Sequence, residues 1–243
     1  MPAEILGVKI NRIDLDGTLR RIDELLTGTN GRLIATVNPE FILAAQKNEA
    51  FRQAINQAAI ATADGFGLIL AGLFLKQGRL SRVTGVDLSL ALLKGRCPEA
   101  KIYLLGGAEE VAAAVRAKFP HGRIVGAEAG GNLLPNLYEL KNNEAVLKRV
   151  NDSGANLLLA AFGQIRQEMW LTENLPKMPL IKVGIGVGGT FDYLSGKTKR
   201  PPAIIRKAGL EWLYRLVREP KRWQRIWNAT VVFGWLVFKE KLK

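Results

Sequence analysis

An aspartate in a glycine-flanked turn, Ala63-Asp64-Gly65-Phe66-Gly67, stands eighteen residues ahead of Arg82-Val83-Thr84-Gly85-Val86-Asp87. A carboxylate can take a proton from a hydroxyl, and a guanidinium can grip a phosphate at two points. Ile60-Ala61 reads as the end of a strand, and Phe66 to Leu75 reads as a largely apolar helix. Asp64 therefore falls where a strand hands over to a helix, the usual place for working residues in α/β proteins. Aspartate is also a favoured helix cap, so capping of that helix is the competing, purely structural reading.

These residues need a scaffold, and the chain punctuates one. Arg32 to Val37 reads as a strand, and Pro39 suits the first turn of a helix running to about Lys47. Lys101 to Leu105 is a strand, followed by Gly106-Gly107 and a helix from about Glu109 to Phe119. Leu137 to Asn151 and Gln167 to Leu175 read as helices, with strands at Asn156 to Ala161 and Ile181 to Val187. Apolar strands without polar alternation, separated by helices, predict an α/β fold with a mostly parallel, Rossmann-like sheet flanked by helices. A boundary near Ser195-Gly196 divides an α/β core, 1–195, from a basic, aromatic, helical appendage, 196–243.

Composition narrows the chemistry. A chain of 243 residues with 48% hydrophobic and 23% charged residues can bury a substantial core and is not a disordered sequence. One cysteine, Cys97, excludes an intrachain disulfide and fits a reducing compartment. Met1 to Ile10 shows no basic stretch followed by an apolar one, so no secretory signal is expected. His121 and Cys97 are the sole His and Cys, which argues against a metal site built from those ligands.

The net charge of +13 is unevenly spread. From Lys197 to Lys243 thirteen Lys and Arg face three Glu, interleaved with Trp212, Trp223, Trp227 and Trp235. No helix-turn-helix, zinc-finger or RNP pattern accompanies the charge, so nucleic acid is not the expected partner. Cations mixed with tryptophan suit an anionic membrane surface. The apolar run from Ala229 to Phe238 is too short to cross a bilayer, which needs about 20 apolar residues. It could lie in the interface, or pack on the core or on a second copy in a homo-oligomer. Leu210, Leu213, Leu216 and Val217 keep helical spacing up to Pro220, which should end or kink the helix. Arg215, Arg218, Arg222 and Arg225 would form one stripe if the kink is mild; a solvated basic face is the plainer reading.

Two motifs compete. Asp14-Leu15-Asp16-Gly17-Thr18 matches the nucleophile string of haloacid-dehalogenase phosphatases, but Asn11 and Arg12 interrupt the apolar strand that such a string needs. Gly184-Ile185-Gly186-Val187-Gly188-Gly189 could cradle phosphate with backbone amides, yet lacks the spacing of a nicotinamide site.

Residues 62–88, TADGFGLILAGLFLKQGRLSRVTGVDL, resemble the signature of the WecG/TagA/CpsF glycosyltransferases (family 26). ATVNPEF (35–41), KIYLLGG (101–107), FGQIRQEMW (162–170), GVGGTFDYLSGKTKRPP (186–202) and GLEWLYRLVREPKRW (209–223) follow in the family's order. The resemblance implies transfer of N-acetylmannosamine from a UDP-sugar donor to a polyprenyl-diphosphate-linked GlcNAc acceptor. N-acetylmannosaminuronic acid and glucose are the alternative donors. It implies that Asp64 is the general base and that Arg82 contacts the substrate diphosphate. Thr36, Asn38, Gly65, Gln167, Gly188 and Gly189 would bind substrate, and Arg215, Arg222 and Arg225 would fold over the site. A cytoplasmic enzyme on the inner face of the membrane, without cofactor and active without added divalent ions, is expected. The chain departs from the family at Ile165-Arg166-Gln167-Glu168, in place of a PKQE pattern, and at Gly131-Asn132, in place of glycine-tyrosine.

Overall fold

The structure is a computed structural model. It describes residues 1–121, 123–131, 133–134 and 139–242, with the side chains of Glu109, Lys207, Arg215 and Arg222 outside the description. Asn132 lies outside it as well.

Eight strands are present among the described residues. β1 (Ala3–Ile5) and β2 (Val8–Ile10) form an antiparallel hairpin. β3 (Arg32–Val37), β4 (Ile60–Ala63), β5 (Ile102–Gly106), β6 (Ile124–Glu128), β7 (Leu157–Ala161) and β8 (Val183–Gly186) form one sheet. Its order is β4-β3-β8-β7-β5-β6 and every pairing is parallel. The parallel α/β architecture expected from the sequence is the one found, with helices on both faces.

Two covered faces explain the lack of alternation. Ile34, Leu157, Leu159 and Ile185 pack on one side against Leu19, Leu88, Val111 and Phe191 from four helices. Leu33, Leu158 and Ala160 pack on the other side with Trp170, while Ala35 and Val37 meet Phe41 and Leu68. Each fully buried Leu or Ile contributes roughly 1.5–3 kcal/mol relative to exposure, so apolar residues are favoured at successive positions.

Several local expectations shift. The helix anticipated from Leu137 begins at Asn143 and ends at Asp152. Leu137 itself is outside the described residues, and Leu140 pairs in an isolated bridge with Leu133 instead of entering the helix. Asp14 is not at a strand end. It caps the Leu15–Leu26 helix, its Oδ1 accepting the Gly17 amide at 2.8 Å, and it is exposed. The phosphatase-like string is thus a helix start.

Beyond Gly196 come helices at Ala203–Lys207 and Glu211–Arg218. A break follows at Glu219, and the tight turn Pro220–Arg222 leads to Trp223–Trp227. A π-helical turn, Asn228–Val232, then joins Phe233–Lys241. The four arginines of the expected stripe therefore do not share one helix. Phe233 and Val237 are buried in the same cluster as Val37, Phe41 and Leu68, so this last helix lies against the core. Among the described residues no helix is long and apolar enough to cross a membrane.

Candidate active site

The loops that leave the carboxyl ends of β4, β3, β8 and β7 share one cleft of about 1150 Å³. Adjacent parallel strands bring these loops together, and ligands of open α/β sheets bind outside such strand ends. The C-terminal segment supplies the opposite wall through Glu211, Trp212, Arg225 and Phe233, among others.

Asp64 follows β4 directly. Its amide donates to the Val37 carbonyl at 2.6 Å, which ties the end of β4 to β3. Its carboxylate Oδ2 accepts the Gly85 amide at 3.0 Å. Gly85 is the first residue of the Gly85–Leu93 helix, so the carboxylate meets the positive end of that helix dipole. The cap position of the Phe66–Phe74 helix belongs to Gly65, which makes no side-chain cap bond. The N-cap of that helix is thus Gly65 and not Asp64. Gly65 has φ +151, a region side chains rarely adopt, and an added Cβ would lie 3.2 Å from Pro39 Cδ.

Arg82 comes beside Asp64 through a parallel bridge between Ala63 and Arg82, with Val83 N donating to Ala63 O at 3.0 Å. Its guanidinium pairs with Glu211 at 2.6 Å and donates to the Arg206 carbonyl at 3.1 Å. Its Nε is buried without a partner among the described residues. Arg225 makes a two-point contact with Glu40, at 3.0 and 2.6 Å. Gln164 donates to the same carboxylate. Both arginines are thus held by carboxylates that bridge the core and the C-terminal helices. Arg200 pairs with Asp87 at 2.8 Å, fastening the start of the basic segment to the capping turn at Thr84.

Thr36 and Asn38 sit at the end of β3 and line the cleft. The Thr36 hydroxyl donates to Gly186 O at 3.3 Å. The Asn38 side-chain oxygen caps the Pro39–Ala45 helix by accepting from Phe41 N at 3.1 Å. Gln167 is buried with both amide ends occupied: its Oε1 accepts from Gly188 N at 2.9 Å, and its Nε2 donates to Glu168 Oε1 at 2.6 Å. Gly188 and Gly189 complete the turn after β8 and line the cleft. Every expected site residue with a described side chain lines this one cavity, as do the three glycines. The side chains of Arg215 and Arg222 lie outside the described residues.

Four acids were not among the expected site residues. Glu168 is fully buried; burial lifts its carboxyl to about 7, against hydrogen bonds from Gln167 and from the Glu168 and Ile165 amides that pull it down. Gly186 is a glycine because an added Cβ would lie 2.1 Å from Glu168 Oε1. Glu40, Glu211 and Asp192 line the cleft, and Asp192 has no ion-pair partner among the described residues. Glu40 and Glu211 read as ordinary first-turn acids of helices, the one signal they carry. No group of three His, Cys, Asp or Glu that could hold a metal occurs among the described residues.

Asp64 at a strand end, Arg82, Arg225 and the Gly188-Gly189 turn line one cleft, an arrangement that could accept a proton and hold an anionic group. Such sites occur on many folds, so membership needs the whole chain. The chain belongs to the Glycosyl transferase WecG/TagA/CpsF family, whose profile matches residues 3–243. Three curated relatives, from Staphylococcus aureus strains MRSA252, MW2 and NCTC 8325, are each 31% identical over 252 residues. Each match covers 99% of this chain and 93% of the relative. All three are named N-acetylglucosaminyldiphosphoundecaprenol N-acetyl-beta-D-mannosaminyltransferase.

Proposed function

We propose that this chain moves N-acetylmannosamine from UDP-N-acetylmannosamine to N-acetylglucosamine carried on a polyprenyl diphosphate, with inversion at the anomeric carbon. That product is the linkage disaccharide of wall teichoic acid or a related cell-surface polymer. The family and the names of the relatives support the reaction. The observation that carries the mechanism is Asp64 in one cleft with Arg82, Arg225 and the Gly188-Gly189 turn.

In this mechanism the acceptor hydroxyl gives its proton to an Asp64 carboxylate oxygen. The freed oxygen forms the new bond to the anomeric carbon while the bond to the UDP oxygen breaks on the opposite face. UDP departs with the electron pair, and the guanidinium groups of Arg82 and Arg225 neutralise the growing charge. The substrate diphosphate would take those cations over from Glu211 and Glu40. Residues 196–243 act as an appendage that closes the site, and the enzyme works at the inner face of the membrane, where its lipid acceptor resides. The apolar appendage surface is also the place where a second copy would dock.

Asp64→Asn removes the base but retains size and polarity. Transfer from UDP-N-acetylmannosamine to a short-chain lipid acceptor should fall about 10²–10⁴-fold, with UDP affinity held. Near-normal turnover by this variant would remove Asp64 from the chemistry.

A further inference from the structure

The cleft does not stop at its polar groups. Beyond Asp64 and Gly65 it continues between two helices, Phe66–Phe74 of the core and Phe233–Lys241 of the C-terminal segment. Leu70, Ala71, Phe74, Phe233, Val237 and Phe238 line this extension. Ala71, Phe233 and Val237 are buried and form a floor. Leu70, Phe74 and Phe238 are 52%, 45% and 44% exposed and form open walls. None of the six side chains offers a hydrogen bond. A soluble sugar nucleotide has nothing to place on such a surface, whereas an isoprenoid chain is apolar along its whole length.

We infer that this apolar lane is the seat of the first isoprene units of the lipid acceptor, running outward from the polar part of the cleft. The inference rests on the acceptor named above and goes beyond it by assigning the chain a path. Two observations favour this occupant. The lane and the polar pocket are one cavity, so a ligand with a charged head and an apolar tail fits both ends at once. A cation stands beside the lane: Lys241 Nζ lies 5.7 Å from the Phe74 ring centroid. That ammonium group would meet a lipid phosphate where the chain leaves the protein for the bilayer. The lane exists only because the C-terminal helix packs on the core, so the same contact that buries Phe233 also builds the seat.

Affinity should therefore depend on chain length even with no membrane present, since each buried methylene is worth about fourfold in binding. The test titrates the purified full chain, without vesicles, with dimethylallyl, geranyl and farnesyl diphosphate, and with inorganic diphosphate as the headgroup alone. Affinity should rise at least about tenfold from one isoprene unit to three. In the double variant Leu70→Ser, Phe74→Ser that rise should shrink to about twofold or less, while inorganic diphosphate binds as before. Both positions are exposed, so the fold tolerates the change. Equal affinities across the chain lengths in the parent protein would overturn the assignment. So would an undiminished rise in the variant, which would place the isoprene units elsewhere on the protein. The readout needs no sugar transfer: prenyl diphosphates that bound as expected to a chain that transferred no sugar would refute the proposed function and leave the lane standing.

Discussion

Glu168 holds two things that the cleft depends on. One carboxylate oxygen accepts from Gln167, which in turn receives the Gly188 amide; the other accepts the Ile165 amide at 2.7 Å. Ile165 is a β-branched residue at φ +72, a conformation that costs on the order of 1–3 kcal/mol and persists only where surroundings enforce it. Burial lifts the Glu168 carboxyl to about 7, so between the ordinary carboxylate range and pH 7 the native state keeps a proton that the unfolded chain has lost. The stability from this group is present at low pH and drains away as pH rises through about 7. Glu168→Gln cannot titrate. The stability gap in favour of the parent protein over this variant should widen by about 2 kcal/mol on going from about pH 8 to about pH 5.5. Urea unfolding of both proteins across that range reads the gap, and a constant gap would mean the carboxyl does not titrate there. Asp64 was legible because a polar residue closes an apolar run at a strand end, and Thr36 and Asn38 through the family resemblance. Glu168 was not, since nothing beside Met169 and Trp170 tells a buried acid from a solvated one until Gly186, from a distant strand, closes over it.

At the level of elements, two ion pairs staple the C-terminal helices to the sheet. Arg82–Glu211 is about four-fifths buried on both side chains, so solvent screens it little. Glu211→Gln should lower the unfolding free energy by about 1–2 kcal/mol and tighten UDP binding, because the diphosphate no longer competes with a carboxylate. Thermal unfolding and calorimetric titration with UDP measure the two effects; weaker UDP binding in the variant would refute the competition. The long buried strands announced themselves by composition. Shorter elements did not. β1 and β2 span three residues each around a Leu6-Gly7 turn with both φ positive, and leucine is no signal for such a turn. β6 is a half-exposed edge strand whose Gly126 makes room for the Tyr103 ring, and glycine reads as a loop. The break at Glu219 was signalled by Pro220, but its depth was not, because one proline fixes where a helix ends and not where the chain goes next.

The whole molecule carries +13 and exposes Trp212, Trp223, Trp227 and Trp235 on its C-terminal segment. Near an anionic surface each basic residue is worth about 1 kcal/mol, and raising the salt from about 0.1 M to 1 M shortens the screening length from about 10 Å to 3 Å. Flotation with anionic vesicles should therefore show strong binding at low salt that mostly disappears at high salt, and little binding to neutral vesicles. Equal binding to both vesicle types would make tryptophan, not charge, the anchor. β8 is the final strand to be synthesised, yet it occupies the interior of the sheet between β3 and β7. Without Val183–Gly186, β3 and β7 would lack the strand that joins them. Asp64, which follows β4, and Gln167, which follows β7, therefore share one cleft through the strand between their two ribbons, the last of the sheet to be made.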